Sequence, residues 1–220
     1  MVQGIPLTGI IIATDLEAEP FIKALKMQEI EDRPFPVYGC DNIFLSISGI
    51  GKANAAMATA YMCSKFDPKW IMNLGAAGAT QASRELGDIY HIEKVIEPDR
   101  PHPASGTPYV QIPDVLPGFK KAVLATQDRA VDDIETFQQI APLADLVDME
   151  GASVVQASKR FGKRCLLFKF VSDTPIHAGQ RELIMEHIKH YGAPFCEFIS
   201  NEVIPVLAPR NDKKRCYVLI

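Results

Sequence analysis

The chain has 220 residues, 47% of them hydrophobic, and a formal net charge of −4. That is enough apolar material for a substantial core, whereas the mildly acidic balance, with a pI near 5.7, lacks the basic footprint that nucleic-acid binding needs and argues against such a partner. Apolar runs break well before the roughly 20 residues of a membrane span, and Met1-Val2-Gln3-Gly4 carries no leader pattern, so a cytoplasmic protein without a membrane partner is expected.

The five cysteines, Cys40, Cys63, Cys165, Cys196 and Cys216, are widely spaced with no C-x-x-C pair and read as free thiols. Only His187 and His190 lie about a helical turn apart, and with no third ligand near them no metal site is expected.

In chain order, the β-branched run Thr8–Thr14 predicts a buried strand. It ends at Asp15-Leu16-Glu17, after which Ala18, Phe21, Ile22 and Leu25 recur at helical spacing. Residues 34–38 and 42–48 read as two strands around a turn at 39–41, and Gly49-Ile50-Gly51 opens a helix over 52–66. A strand over 69–74 runs into Gly75-Ala76-Ala77-Gly78. Residues 88–95 predict a strand, and prolines at 98, 101, 103, 108, 113 and 117 then mark a long loop that runs to Lys120 and directly into a strand over 121–126, omitting a helix. A strand at 145–148, a helix over 151–161, a strand over 164–171 and a final helix over 180–204 complete a domain of residues 1–208, followed by a tail, 209–220, expected to fray or to make an oligomer contact. Alternating strands and helices give an α/β fold, a three-layer α/β/α arrangement around a central mixed, mostly parallel sheet.

Ligands of such sheets bind beyond the carboxyl ends of the strands. Four loops fall there: 15–17, 75–78, 149–151 and 172–174. They carry Glu17, Glu150 and Asp173, with Asp15 and Asp148 beside them. One acid at such a place is ordinarily a helix cap or a first-turn acid; three at converging strand ends point to a site. Nucleotide-loop readings of Gly49-Ile50-Gly51-Lys52-Ala53 fail, because Ser46, Ala53 and Asn54 stand where a phosphate loop or a dinucleotide fingerprint needs other residues. No G-x-S-x-G elbow is present.

Six segments in order, Ile10–Glu17, Ser48–Asn54, Met72–Gly78, Leu86–Ile89, Val147–Ala152 and Phe170–Asp173, resemble the nucleoside phosphorylase and nucleosidase superfamily over about residues 8–174. Among its members the chain looks most like the 5'-methylthioadenosine/S-adenosylhomocysteine nucleosidases and the futalosine hydrolases. The resemblance implies hydrolysis of the N-ribosyl bond of a 5'-modified purine nucleoside, without metal or organic cofactor, by a homo-oligomer (a dimer, or a trimer or hexamer). It assigns Asp173 as the acid that protonates the departing purine at N7, Ser172 as its orienting partner, and Glu17 as the base that activates water. Glu150 would accept the ribose hydroxyls, Met149 would pack on the ribose, and Ala76, Ala77, Gly78 and Val131 would line the pocket.

Phosphorylases of the superfamily hold phosphate with arginines near the first strand and the Gly-rich turn, and neither stretch has one here. Water therefore suits the site better than phosphate. A purine nucleoside phosphorylase and a non-catalytic nucleoside-binding protein are the alternatives. The chain departs from the family at Asp128-Arg129-Ala130-Val131, where relatives present a ring that stacks on adenine. Either Tyr90 or Tyr109 substitutes for that ring, or the base differs. Arg100 and His102, in the Pro-rich loop, are candidates to reach a 5' group, with a solvated loop as the plainer reading.

Overall fold

The structure is a computed structural model and describes residues 6–207; the expected tail at 209–220 lies outside them. In order, the elements are β1 (Thr8–Ile12), α1 (Asp15–Ala24), β2 (Gln28–Glu31), β3 (Val37–Cys40), β4 (Ile43–Ile47), α2 (Lys52–Phe66), β5 (Trp70–Ala79), β6 (Ile89–Pro101), β7 (Pro108–Gln111), β8 (Lys121–Thr126), α3 (Ile134–Ile140), β9 (Leu146–Asp148), α4 (Gly151–Arg160), β10 (Arg164–Asp173) and α5 (Arg181–Phe198). A short 3-10 turn, Pro175–His177, joins β10 to α5, and a π-turn, Ile199–Val203, follows α5.

One mixed sheet contains all ten strands. The pairs β1–β4, β1–β5, β5–β10, β6–β8 and β8–β9 run parallel. The pairs β2–β3, β3–β4, β5–β9, β6–β7 and β6–β10 run antiparallel. The antiparallel share exceeds what alternation of strands and helices suggests, because the chain turns back on itself at both ends of the sheet. Since β5 pairs with β10 as well as with β9, the strands β5, β10, β6, β8 and β9 close into a ring, and β1, β4, β3 and β2 extend from β5 as a wing.

Successive side chains of a strand face opposite ways, and the central strands feed two cores accordingly. Ile10 and Ile12 of β1 join Phe21 of α1 and Phe195 of α5 on one face. Ile11 joins Ala55 and Met62 of α2 and Val154 and Val155 of α4 on the other. A third cluster packs Phe137 and Ile140 of α3 against Ile96, Ala125 and Val147.

Several expectations need correction. The 98–117 stretch is not simply a loop: β6 continues through Pro98 to Pro101 and pairs with β7 through a register shift, a position where the sheet tolerates the missing proline N–H. No helix intervenes between β7 and β8, as expected, but the segment after β8, for which the sequence predicts no element, holds α3, opened by Asp133, whose side chain accepts from the Thr136 amide at 2.8 Å. The final helix ends at Phe198 rather than near 204, and β2 was not foreseen because its four residues are mostly exposed and show no apolar alternation.

Candidate active site

A cavity of about 530 Å³ opens at the carboxyl ends of β1, β5, β9 and β10. It is lined by every residue to which the family resemblance assigns a role: Glu17, Ala76, Ala77, Gly78, Val131, Met149, Glu150, Ser172 and Asp173.

Glu17 lies in the first turn of α1, whose N-cap is Thr14. The Thr14 hydroxyl donates to Glu17 Oε2 at 2.6 Å, and the Ala76 amide donates to Oε1 at 2.8 Å. The second bond requires β5 to pass very close. A Cβ on Gly75 would lie 2.6 Å from Oε1, and Gly75 has φ +152°, so this position excludes a side chain on two counts.

Ser172 and Asp173 owe their arrangement to a β-bulge. Val171 pairs with Ala77 and Asp173 with Gly78, leaving Ser172 as the extra residue of β10. Neighbours in a regular strand point to opposite faces; with the bulge, the Ser172 hydroxyl reaches Asp173 Oδ1 at 2.6 Å. Burial raises the Asp173 carboxyl above the usual range, against the lowering effects of the Ser172 hydroxyl and the His177 and His187 rings. Gly78 faces it so closely that a Cβ would stand 2.8 Å from Oδ2.

Glu150 is the N-cap residue of α4, and its Oε1 accepts from the Gly51 amide at the start of α2 at 2.8 Å. Burial, then the charge of Asp148, pushes it up to about 7, although Lys169 and the Gly51 amide pull the other way. Beneath it Asp148 accepts from the Thr126 hydroxyl at 2.5 Å and the Gly151 amide at 2.9 Å, and pairs with Lys169 Nζ at 3.0 Å. Lys169 is 2% exposed. Burial works against its charge, but Asp148 and Glu150 override that and raise its pKa. The site floor is thus a buried cation among acids.

Sequence reasoning missed Lys169, although a lysine inside the apolar run Leu166–Val171 is itself a signal, since lysines are almost never buried unpaired. It also missed Arg181, Ile184, Met185 and Ile188 of α5, which form one wall of the cavity. Among the described residues Arg181 is the only lysine or arginine that lines the cavity. Neither tyrosine proposed as a stacking ring is there. Tyr90 is buried in the core against Arg84, and Tyr109 packs beside Arg100 and His102. Arg100 and His102 are likewise not in the cavity lining, and Arg100 instead bonds Glu97 and Gln156. Among the described residues no aromatic side chain lines the cavity. Among the described residues no three His, Cys, Asp or Glu side chains are grouped to hold a metal ion.

The ring of strands and an acid-lined cavity at their carboxyl ends define a class, and comparison agrees: residues 8–132 match the Phosphorylase superfamily, over half of the chain, and the chain belongs to that family. The matched stretch includes Glu17 and the 76–78 strand end but stops before Glu150 and Asp173. More particularly, the chain is 29% identical over 209 residues to a 5'-methylthioadenosine/S-adenosylhomocysteine nucleosidase of Oceanobacillus iheyensis, covering 80% of this chain and 88% of the relative. In structure it resembles the 5'-methylthioadenosine nucleosidase of Arabidopsis thaliana, with TM-score 0.83 and 22% identity over 95% of this chain and 98% of that one. It also resembles the futalosine hydrolase of Helicobacter pylori, with TM-score 0.77 and 19% identity over 92% and 97% of the two chains. At these identities the structural likeness speaks for the fold.

Proposed function

We propose that this chain is a nucleosidase that hydrolyses the N-ribosyl bond of a 5'-modified, adenosine-type purine nucleoside. The observation that carries the reading is Asp173: a buried carboxyl with a raised pKa, held by Ser172, opening onto the same cavity as Glu17 and Glu150. Names of the relatives agree with it.

Breaking the bond leaves negative charge on the purine and positive charge on the sugar. Asp173, whose protonated form burial favours, delivers its proton to N7 as the bond lengthens, and Ser172 fixes the carboxyl's direction. Glu150 accepts the ribose hydroxyls and favours the cationic sugar, while Met149 packs on its face. Glu17, anchored by Thr14 and Ala76, takes a proton from the attacking water. Ala76, Ala77, Gly78 and Val131 have small or slim side chains that leave room for a flat base. Phosphorolysis is the weaker reading: carboxylates surround the nucleophile's place, and Lys169, the cation beneath them, is taken up by Asp148. Ile50 and Met185 line the cavity while 53% and 46% exposed, an apolar mouth suited to cover by a second copy in a homo-oligomer.

The test is product analysis with a panel of purine nucleosides, with and without phosphate. Free base and free sugar, formed without phosphate, are expected. Asp173→Asn and Glu17→Gln should each lower kcat by about 10²–10⁴-fold while nucleoside binding persists. Release of ribose 1-phosphate would overturn hydrolysis, and unchanged turnover in either variant would remove that residue's role.

A further inference from the structure

The peptide that carries Asp173 is gripped from both sides by imidazoles. On one side, His187 of α5 reaches back fifteen residues, its Nδ1 2.9 Å from the Ser172 carbonyl oxygen. A carbonyl can only accept, so His187 Nδ1 carries the hydrogen. On the other side, His177 Nδ1 lies 3.1 Å from the Thr174 amide and 3.2 Å from its hydroxyl. An amide N–H can only donate, so His177 Nδ1 is bare and its hydrogen sits on Nε2. The two rings meet edge to face, centroids 5.2 Å apart. Ser172-Asp173-Thr174 is therefore fixed at the carbonyl before Asp173 and at the amide after it.

We infer that His177 and His187 are positioning residues for Asp173, clamping the bulged end of β10 so that its carboxyl stays aimed into the cavity. The inference rests on the proposed hydrolysis for its kinetic consequences, though not for its geometry.

The two histidines differ in what protonation does to them. A second proton on His187 goes to Nε2 and leaves the bond to Ser172 intact. On His177 it must go to Nδ1, which then cannot accept from the Thr174 amide, so acid opens that side of the clamp. Both cations would also favour ionised Asp173, the form that cannot donate. The titratable groups packed with the pair are Asp173 on β10 and Tyr191 on α5, whose ring lies 6.4 Å from that of His187, with His190 beyond it against Tyr191.

Asparagine tests this, since its side chain can accept as His177 does or donate as His187 does without titrating. The experiment measures kcat and KM across about pH 5 to 8, with the Asp173 carboxyl followed by infrared difference against Asp173→Asn. His177→Ala and His187→Ala should each lower kcat about tenfold or more, a part of the general-acid contribution, with KM little changed. His177→Asn and His187→Asn should restore most of the kcat. Both asparagine variants should also raise the midpoint of Asp173 ionisation, because each removes an imidazole that lowers it. Alanine variants with wild-type kcat, pH profile and Asp173 midpoint would overturn the inference, as would variants that lose only thermal stability. If wild-type protein releases no base, the proposed hydrolysis fails, and the clamp is then decided by the frequency and width of the Asp173 carboxyl band, which alanine at either position should change and asparagine should keep.

Discussion

Glu150 holds its proton more tightly folded than unfolded, and this has a consequence for stability. It is 6% exposed; burial first, then the nearby Asp148, lift it from 4.5 to about 7. A carboxyl raised in this way stabilises the fold fully below its unfolded value, and that contribution is lost as pH rises through the folded one. Between those limits the cost grows to about 3 kcal/mol at most. Glu150→Gln keeps an acceptor for the Gly51 amide but has no proton to lose. Its thermal midpoint should match wild type near pH 4.5 and exceed it clearly at about pH 8; a variant no more stable than wild type at the higher pH would contradict this. The same shift bears on function. Ribose hydroxyls donate more strongly to a carboxylate than to its protonated form, so if Glu150 holds the ribose as proposed, nucleoside binding should tighten as pH rises through about 7, visible as a falling KM.

The strands that meet at the cavity do so through two glycines of β5, and these separate positioning from strain. At Gly78 the obstacle to a Cβ is the proposed acid itself, Asp173 Oδ2 at 2.8 Å, with Val147 Cγ2 at 3.1 Å. At Gly75 the obstacle is Glu17 Oε1 at 2.6 Å, and the backbone also sits at φ +152°. Gly78→Ala should therefore displace Asp173 and lower kcat by about tenfold or more while the fold persists. Gly75→Ala should lose activity and, in addition, about 1–3 kcal/mol of stability to backbone strain. Paired measurements of kcat and thermal midpoint distinguish the two; equal stability losses would refute the distinction. How much of this could be read in the sequence follows from the same strands. The apolar runs of β1, β5 and β10 announced themselves by residue type, and the acids and glycines at their ends by position. The bulge at Ser172 did not, because one extra residue in a ladder leaves no compositional trace. The α5 wall was unreadable for a related reason: nothing local in Arg181 or Ile184 says which cavity they will face. The helix α3 escaped because its seven residues are too few for a clear period, with only Phe137 and Ile140 buried.

Across the whole molecule the two main cores are built from the same strands. Trp70, Met72 and Leu74 of β5 face one core, and Ile71, Ala77 and Ala79 the other. On β10, Leu166, Phe168 and Phe170 oppose Cys165, Leu167 and Val171 in the same way. Neither core can open without disrupting strands that the other needs, and the closure of β5, β10, β6, β8 and β9 into a ring leaves those five strands paired on both sides, with free edges only at β2 and β7. The described chain should therefore unfold as one unit, despite a length at which intermediates become common. Trp70 is the only tryptophan, 4% exposed in β5, with the Arg164 guanidinium 3.9 Å above its ring. Its fluorescence reports the centre of the sheet, while far-UV circular dichroism reports all the helices together. In a urea titration the two transitions should coincide, and if copies associate they should move together to higher urea as protein concentration rises. A helical signal lost at lower urea than the Trp70 signal would mean that the helical layers detach from a surviving sheet, and would refute the coupling of the two cores through their shared strands.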